Sequence, residues 1–362
     1  MIDEEPKAEL PIGEAKKLGE LAREKWDEHL LLFSQVKNTV LEVNPNVNLP
    51  FNLEKGKSSS LGLFAEAAFR ERPRELPRGK HALEVWPKMH RRSAFLGRVI
   101  FADKEGRIYR DIDLKGIGYV FSTKFEKGAI VLLPGRVIEE RRAGSGLLDC
   151  DSAFFERQAS EKFLLAGIRT YRVLAIIELK ELIVNRRKLS QQKAIEENII
   201  DKNFRPVVEI RAFGTKARIY DLDPEFNPDK EDRKLLLEDA KRLVSQELGR
   251  KETISEEGYL EWFAKTLGYN VGLMHKNGWF HDSLTDHNIT LDCRICDLDT
   301  IAQLTNKIEQ NRDIGKARYS LNYLLKFLGL ESTKWEPFER QFQESYDKVF
   351  PPEEREKYFN RF

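Results

Sequence analysis

The chain lacks any apolar run near the ~18 residues that a membrane-spanning helix needs. Its first ten residues, MIDEEPKAEL, are acidic and hold no signal-peptide core. The expectation is a cytoplasmic protein that engages no membrane. Cysteine is scarce: Cys150, Cys293 and Cys296 are the three in 362 residues, too few for a disulfide framework. The CRIC segment has CxxC spacing but no second such pair, so packed thiols are favoured over zinc or redox chemistry. Charge of one sign is not in excess, with 61 basic against 60 acidic residues leaving +1. That removes a global attraction to nucleic acid, and Arg91-Arg92 and Arg141-Arg142 read as solvated surface. Internal repeats are missing, and low complexity is limited to the triplet Ser58-Ser59-Ser60.

What is present is a globular composition, 41% hydrophobic and 33% charged, on a chain long enough for two domains. Residues 12–43 read as helical, with Leu18, Leu21, Trp26, Leu30 and Phe33 interleaved with charges. The stretch NPNVNLPFNLEKGKSSSLG then breaks every period, and residues 1–90 form a helical and then looped N-terminal extension without chemistry of their own. FLGRVIFADKEGRIYRDIDLKGIG reads as two strands joined by a turn at Asp103 to Gly106, and GAIVLLPGRVI adds strand material. Phe155, Ala159 and Phe163 have helical spacing, with Asp151 or Ser152 as N-cap and Gly167 as terminator. TYRVLAIIEL and PVVEIRAF are strand-like, whereas Lys230 to Leu248 and the segments after it are amphipathic helices. The expected fold is α+β in two lobes, a β-rich N-lobe over 91–212 and an α-helical C-lobe over 213–362. Ligands favour the cleft between such lobes.

The richest chemistry lies in GWFHDSLTDHNITLDCRICDLD, residues 278–299. His281 and Asn288 are seven apart, the separation of histidine and asparagine in the protein-kinase catalytic loop H-R-D-x-x-x-x-N. Asp297 follows a short hairpin, ITL then RIC. An asparagine carbonyl and a carboxylate are hard ligands suited to Mg²⁺ or Mn²⁺, so Asn288 and Asp297 are candidate metal ligands. Upstream, Lys115 stands late in a strand before two glycines, where an ammonium suits a polyphosphate. Glu156 on the next helix is placed to anchor that lysine, as in protein kinases. Ser283 occupies the position of the kinase base. Asp286 and His287 remain as candidate catalytic groups, histidine being able to take a proton near neutral pH.

These residues resemble the selenoprotein-O family of protein adenylyltransferases. Its L-K-G-x-G motif is matched by Leu114-Lys115-Gly116-Ile117-Gly118. Its helix pattern R-E-x-x-x-S-E-x-x-x-x-L-G-I-x-T-x-R is similar to FERQASEKFLLAGIRTYR, with Glu156, Ser160, Glu161, Gly167, Ile168, Thr170 and Arg172 in step. Its G-F-x-H-G-x-x-N-T-D-N, followed by D-Y-G, resembles GWFHDSLTDHN with Asp297 nine residues after Asn288. The likeness runs discontinuously from about 95 to 330. It implies a protein-kinase-like fold, ATP held in reverse, and transfer of AMP to a Ser, Thr or Tyr hydroxyl of an acceptor protein. It also implies phosphate contacts from Arg211 and Arg218, and a glycine-rich loop reduced to Gly97 and Arg98.

The departures are specific. The family's aspartate before the metal-binding asparagine is His287, D-Y-G has become Asp297-Leu298-Asp299, and the C-terminal redox residue is missing. Three activities follow from the same residues: AMP transfer, ordinary phosphoryl transfer, or nucleotide binding by an inactive pseudokinase scaffold. The partners expected are ATP and an acceptor protein, with neither nucleic acid nor membrane.

Overall fold

The computed structural model describes residues 30–47, 49, 52–68, 78–85, 93–103, 105–118, 120–126, 129–134, 146–184 and 187–361. Leu18, Leu21, Trp26, Arg91, Arg92, Arg141 and Arg142 lie outside them. The fold is mixed α/β, with antiparallel sheets and seven helices among the described residues. The chain divides into two compact units. One comprises 1–105, 109–155 and 173–212; the other comprises 106–108, 156–172 and 213–362. No described helix is long and apolar enough to cross a membrane.

The first unit is built on a nine-stranded sheet. Its strands are β1 (Leu30–Gln35), β2 (Asn38–Val43), β3 (Leu63–Ala68), β4 (Lys80–Val85), β5 (Ser93–Ala102), β6 (Ile108–Lys115), β9 (Leu148–Asp149), β10 (Arg172–Leu179) and β13 (Pro206–Phe213). The order is β2-β10-β13-β6-β5-β4-β1-β3, with β9 on β13. β7 (Val120–Glu126) and β8 (Ala129–Pro134) form a separate hairpin, as do β11 (Glu181–Val184) and β12 (Arg187–Ser190), which leads into the short helix α2 (Gln191–Glu196).

The sequence expectation of a helix fails at residues 30–43, which form β1 and β2. Val36, Asn38 and Val40 are buried while Lys37 is exposed and Thr39 partly so, a period of two. Thr39, Val40 and Val43 are β-branched and stiff at χ1, which favours the pleated sheet. The predicted turn between β5 and β6 is present, with the backbone N–H of Glu105 bonding Asp103 Oδ1 at 3.1 Å.

Helix α1 (Cys150–Leu165) begins one residue before the expected caps. Asp149 Oδ2 accepts from the N–H of Asp151 at 3.0 Å and does the work assigned to Asp151 or Ser152. The helix ends at Gly167, whose φ of +84° is the left-handed stop expected there.

The second unit is mainly helical: α3 (Lys230–Glu247), α4 (Glu256–Lys276), α5 (Lys307–Phe327), α6 (Glu336–Val349) and α7 (Pro352–Phe359). Side chains of Asp229, Ser255 and Asn306 cap α3, α4 and α5 by accepting from first-turn amides. The core joins Phe263, Leu267 and Val271 of α4 to Phe342 and Tyr346 of α6 and to Leu321 and Leu325 of α5, all fully buried.

Two glycines let α4 and α6 approach. A Cβ on Gly268 would sit 2.1 Å from the Phe342 carbonyl oxygen, and one on Gly272 would sit 3.0 Å from that of Tyr346. Backbone cannot yield as a side chain can, so Gly268→Ala is expected to cost about 1–3 kcal/mol by overpacking. Gly315 lies in α5 with nothing within 4 Å of a built Cβ. Gly315→Ala should therefore gain about 0.5–1 kcal/mol from helix propensity. Urea unfolding of the two variants checks both signs, and equal shifts would show that the α4–α6 approach is not tight.

Candidate functional site

The 278–299 segment is held by its ends. β14 (Trp279–Phe280) pairs with β15 (Ala302–Gln303), closing a loop between them. Inside it the chain reverses: the Thr290 N–H bonds the Arg294 carbonyl at 3.0 Å, and the Cys293 N–H bonds that of Thr290 at 2.8 Å. Ile289 and Ile295 form an antiparallel bridge, and the Cys296 N–H reaches the Asn288 carbonyl at 2.8 Å. Asn288 and Asp297, nine apart in sequence, are thereby brought to the same end of the reversal. Asp297 has φ 58° and ψ 57°, left-handed geometry that a non-glycine residue adopts at a cost. Asp282 and Cys293 share that φ.

A buried ionic cluster fixes the reversal. Arg294 Nε donates to Asp292 Oδ2 at 2.5 Å, and its Nη2 meets Glu247 Oε1 at 3.1 Å. Arg294 also donates to the Thr170 and Ile108 carbonyls, while Arg169 joins Glu247 at 2.5 Å and the Asp292 carbonyl at 3.2 Å. Burial pushes the Asp292 carboxyl up. The Arg294 and Arg169 charges and the Thr290 hydroxyl outweigh it, holding the group below its ordinary range. Gly214 leaves room for this cluster, since a Cβ there would lie 2.0 Å from Asp292 Oδ2.

The other side is held by Asp313 of α5, fully buried. Its Oδ2 accepts from the His281 N–H and its Oδ1 from the Asp282 N–H, each at 2.8 Å. His275 Nε2 lies 3.3 Å from the same carboxylate, and Nδ1 lies 2.8 Å from the Tyr346 hydroxyl. Burial lowers the His275 pKa despite the opposing pull of Asp313, so the imidazole is neutral at pH 7. His281 is also fully buried; its Nε2 donates to the Cys296 carbonyl at 2.8 Å, a structural tie across the loop.

Arg218 enters from the segment after β13. Its backbone bridges Thr290, and the Ile219 and Tyr220 N–H groups bond the carbonyls of Ile289 and Asp286 at 3.1 and 3.2 Å. The guanidinium donates through Nη1 to the His287 carbonyl and lies 3.5 Å from Asn288 Oδ1, the edge of hydrogen-bond distance. Asn288 Nδ2 donates to the Ser283 carbonyl at 2.9 Å, which orients its amide oxygen toward Arg218. Arg218 is buried, and its Nε meets no acceptor among the described residues. Asp286 Oδ1 is 3.7 Å from His287 Nδ1, which also lies 3.1 Å from the Thr285 hydroxyl. The structure thus brings Arg218, Asp286, His287 and Asn288 together, with Asp297 at the end of the same reversal.

The remaining predicted residues are divided between the two units. Glu156 is buried in the second unit, and its Oε2 accepts from the Tyr171 hydroxyl at 2.6 Å. In the first unit, Arg211 forms a bidentate pair with Asp113, at 2.9 and 2.7 Å, and lies 3.3 Å from the Ser93 hydroxyl. Its guanidinium, 1% exposed, is held by Asp113 in a charge-assisted pair. Lys115 closes β6, fully buried, in a row with Asp111 and Asp113. Gly116 and Gly118, each at φ +92°, turn the chain sharply after it, and a Cβ on Gly116 would lie 2.3 Å from the Val207 carbonyl. Gly97 and Arg98 lie inside β5, not in a loop.

Cys293 and Cys296 are fully buried, their thiols 3.8 Å from the Phe263 and Arg294 carbonyls, and burial pushes the Cys293 thiol far up. Such thiols are inert. Among the described residues no three His, Cys, Asp or Glu side chains converge as a metal cage.

Sequence reasoning missed Asp313, the Asp292–Arg294–Glu247 cluster and Asp221. Asp221 Oδ2 accepts from the Arg218 N–H at 2.7 Å, and burial pushes its carboxyl up to about 7.

No family model matches this chain, and neither does any curated protein. Among solved structures, "WaaP in complex with acyl carrier protein" aligns over 70% of this chain and 86% of its own, at 13% identity and a TM-score of 0.27. Similarity at that level assigns neither fold nor chemistry. The selenoprotein-O resemblance therefore rests on its motifs alone.

The Asp221 carboxyl sets a pH dependence. Between its unfolded pKa of 3.8 and its native value of about 7, the native state keeps a proton that the unfolded chain releases. Stability contributed by this group is present at low pH and lost as pH rises through that window, by at most about 4 kcal/mol. Asp221→Asn should therefore gain on the wild type as pH goes from 5 to 8, read from urea midpoints. A gain that shrinks with pH would show Asp221 ionised in the native state.

Proposed function

We propose that the second unit carries a Mg²⁺- and ATP-dependent transferase site that moves AMP from ATP to a hydroxyl of an acceptor protein, in a cytoplasmic setting. The observation that supports it most is the reversal itself, which sets Asn288 beside Asp297 and turns a buried arginine with a spare donor toward Asn288. Mg²⁺, or Mn²⁺, takes one or two protein oxygens and completes its shell with phosphates and water, so no larger cage is required. Asn288 Oδ1 and the Asp297 carboxylate are the oxygens that would hold it. When bound, the ion supplies neutralisation of phosphate charge.

The chain's own residues do the rest. Arg218 offers Nε to a phosphate oxygen and never loses its charge. The acceptor oxygen bonds to the α-phosphorus as the bond to pyrophosphate breaks, and the hydroxyl proton passes to His287 or Asp286. Positioning and charge neutralisation carry most of the rate, and Ser283 in the base position is no obstacle. Asp313 and the Asp292 cluster keep the loop in place.

One observation favours a second reading. The guanidinium against Asn288 Oδ1 already places a protein cation where a metal ligand is needed, as suits nucleotide binding without turnover. Autolabelling with ATP labelled at the α- or the γ-phosphate separates the readings. Asp297→Asn is the control, since asparagine tolerates left-handed backbone. Label from the α-phosphate alone, falling about 10²-fold or more in the variant, is expected. Label from γ alone makes the protein a kinase. Neither label, with thermal stabilisation by ATP, leaves a binding protein; neither label and no stabilisation removes the site.

A further inference from the structure

Thr285 has no part in the chemistry above, although its side chain meets the imidazole named there as a proton acceptor. Its Oγ1 lies 3.1 Å from Nδ1 and 3.2 Å from Nε2 of His287, and it has no other hydrogen-bond partner among the described residues. Asp286 Oδ1 is 3.7 Å from His287 Nδ1. A carboxylate on that side favours the proton on Nδ1, which leaves the Nε2 lone pair for the hydroxyl. Hydroxyl, imidazole and carboxylate in that order are the parts of an activated nucleophile.

The other hydroxyls of the loop are placed for other work. Thr290 Oγ1, fully buried, donates to Asp292 Oδ1 at 2.5 Å. Thr300 Oγ1 is spent on the carbonyls of His281 and Asp297, at 3.1 and 3.2 Å. Ser283 has no imidazole within hydrogen-bond distance among the described residues. Thr285 is half-buried, open to a ligand and yet held. Its N–H bonds the Ser283 carbonyl, and its own carbonyl accepts from the Asn288 N–H, each at 2.8 Å. Leu284 before it is fully buried, and the Ser320 hydroxyl of α5 donates to the Leu284 carbonyl at 2.9 Å. One turn therefore presents the Thr285 hydroxyl together with Asn288, and Arg218 is bonded to the His287 carbonyl between them. A nucleophile fixed there acts at an effective concentration that no free acceptor reaches.

Taking the transferase reading as its premise, we infer that Thr285 is an acceptor, and that the protein adenylylates this residue of its own loop. The Thr285 Oγ1 to α-phosphorus bond forms as the bond from that phosphorus to the bridging oxygen of pyrophosphate breaks. Pyrophosphate leaves with the electron pair, and the hydroxyl proton passes to His287 Nε2. The product is a phosphodiester, and its negative charge stands in the turn to which Arg218 is bonded. With one hydroxyl so placed, each chain takes a single AMP.

Locating the label by mass tests this. The full chain is incubated with Mg²⁺ and ATP labelled at the α- or the γ-phosphate, alone and with casein as an external acceptor. It is then digested and its peptides are sequenced by tandem mass spectrometry. The wild type should carry a single adenylyl group, on Thr285. Because the acceptor is internal, the rate per chain should not change on about tenfold dilution of the protein. Thr285→Val should lose the label, and Thr285→Ser, which keeps a hydroxyl, should retain it. An adenylyl group on Ser283 or elsewhere in the wild type overturns the inference while AMP transfer stands. So does a Thr285→Val chain labelled as fast as wild type, or casein labelled from the α-phosphate beside an unlabelled chain. A γ-phosphate label on Thr285 removes AMP transfer and, with it, the adenylylation. No label on either the chain or casein removes the transferase reading and this inference together.

Discussion

Asp292, clamped by two arginines inside the second unit, is the constraint on which the site depends. A carboxylate with no exposed surface would normally be protonated or costly. Arg294 and Arg169 keep it ionised, and Glu247 answers their second charge. Because every member is bonded to another or to a carbonyl, the cluster has one low-energy arrangement. The turn from Thr290 to Arg294 is part of it, and with that turn fixed the Cys296 to Asn288 hydrogen bond follows. The nine-residue separation of Asn288 and Asp297 becomes a short distance for that reason. Gly214 is the geometric condition, since any Cβ would displace the carboxylate.

A second constraint acts from the helices. Asp313 is offered by α5, a helix held against the core, and accepts two successive backbone amides of the loop. One rigid element thereby sets the position of His281 and Asp282, while another sets Asn288 and Asp297. Sites supported on helices keep their geometry better than sites supported on loops alone. The neutral His275 between Asp313 and Tyr346 extends that support into α4 and α6 without adding buried charge.

What the sequence discloses follows the range of the interactions involved. The turn at Asp103, the Gly167 stop and the amphipathic helices are local, and they are readable from spacing. The loop 278–299 is also local, so Asn288, Asp297, Asp286 and His287 could be singled out together. Residues 30–43 misled because LLLF and VLEV fit a helix or a strand, and pairing with other strands decides between them. Asp313 stands 32 residues beyond His281, and Glu247 stands 47 before Arg294, so no local pattern joins them. Arg211 was legible as an arginine in a strand. That Asp113 of the neighbouring strand takes up its guanidinium is a consequence of sheet order, which spacing does not contain. The alternation Asp111, Ile112, Asp113, Leu114, Lys115 was the one available sign of a strand buried on both faces with charges on one of them.

The left-handed residues Asp282, Cys293 and Asp297 have an evolutionary reading. Glycine would relax the backbone at each, and each now carries strain of about 1–2 kcal/mol. The loop is therefore a place where tolerance to heat and retention of side-chain chemistry pull in opposite directions. Selection for robustness alone would drift these positions toward glycine, and at 297 it would erase the carboxylate. A chain that keeps aspartate there holds a less stable loop than its own fold permits.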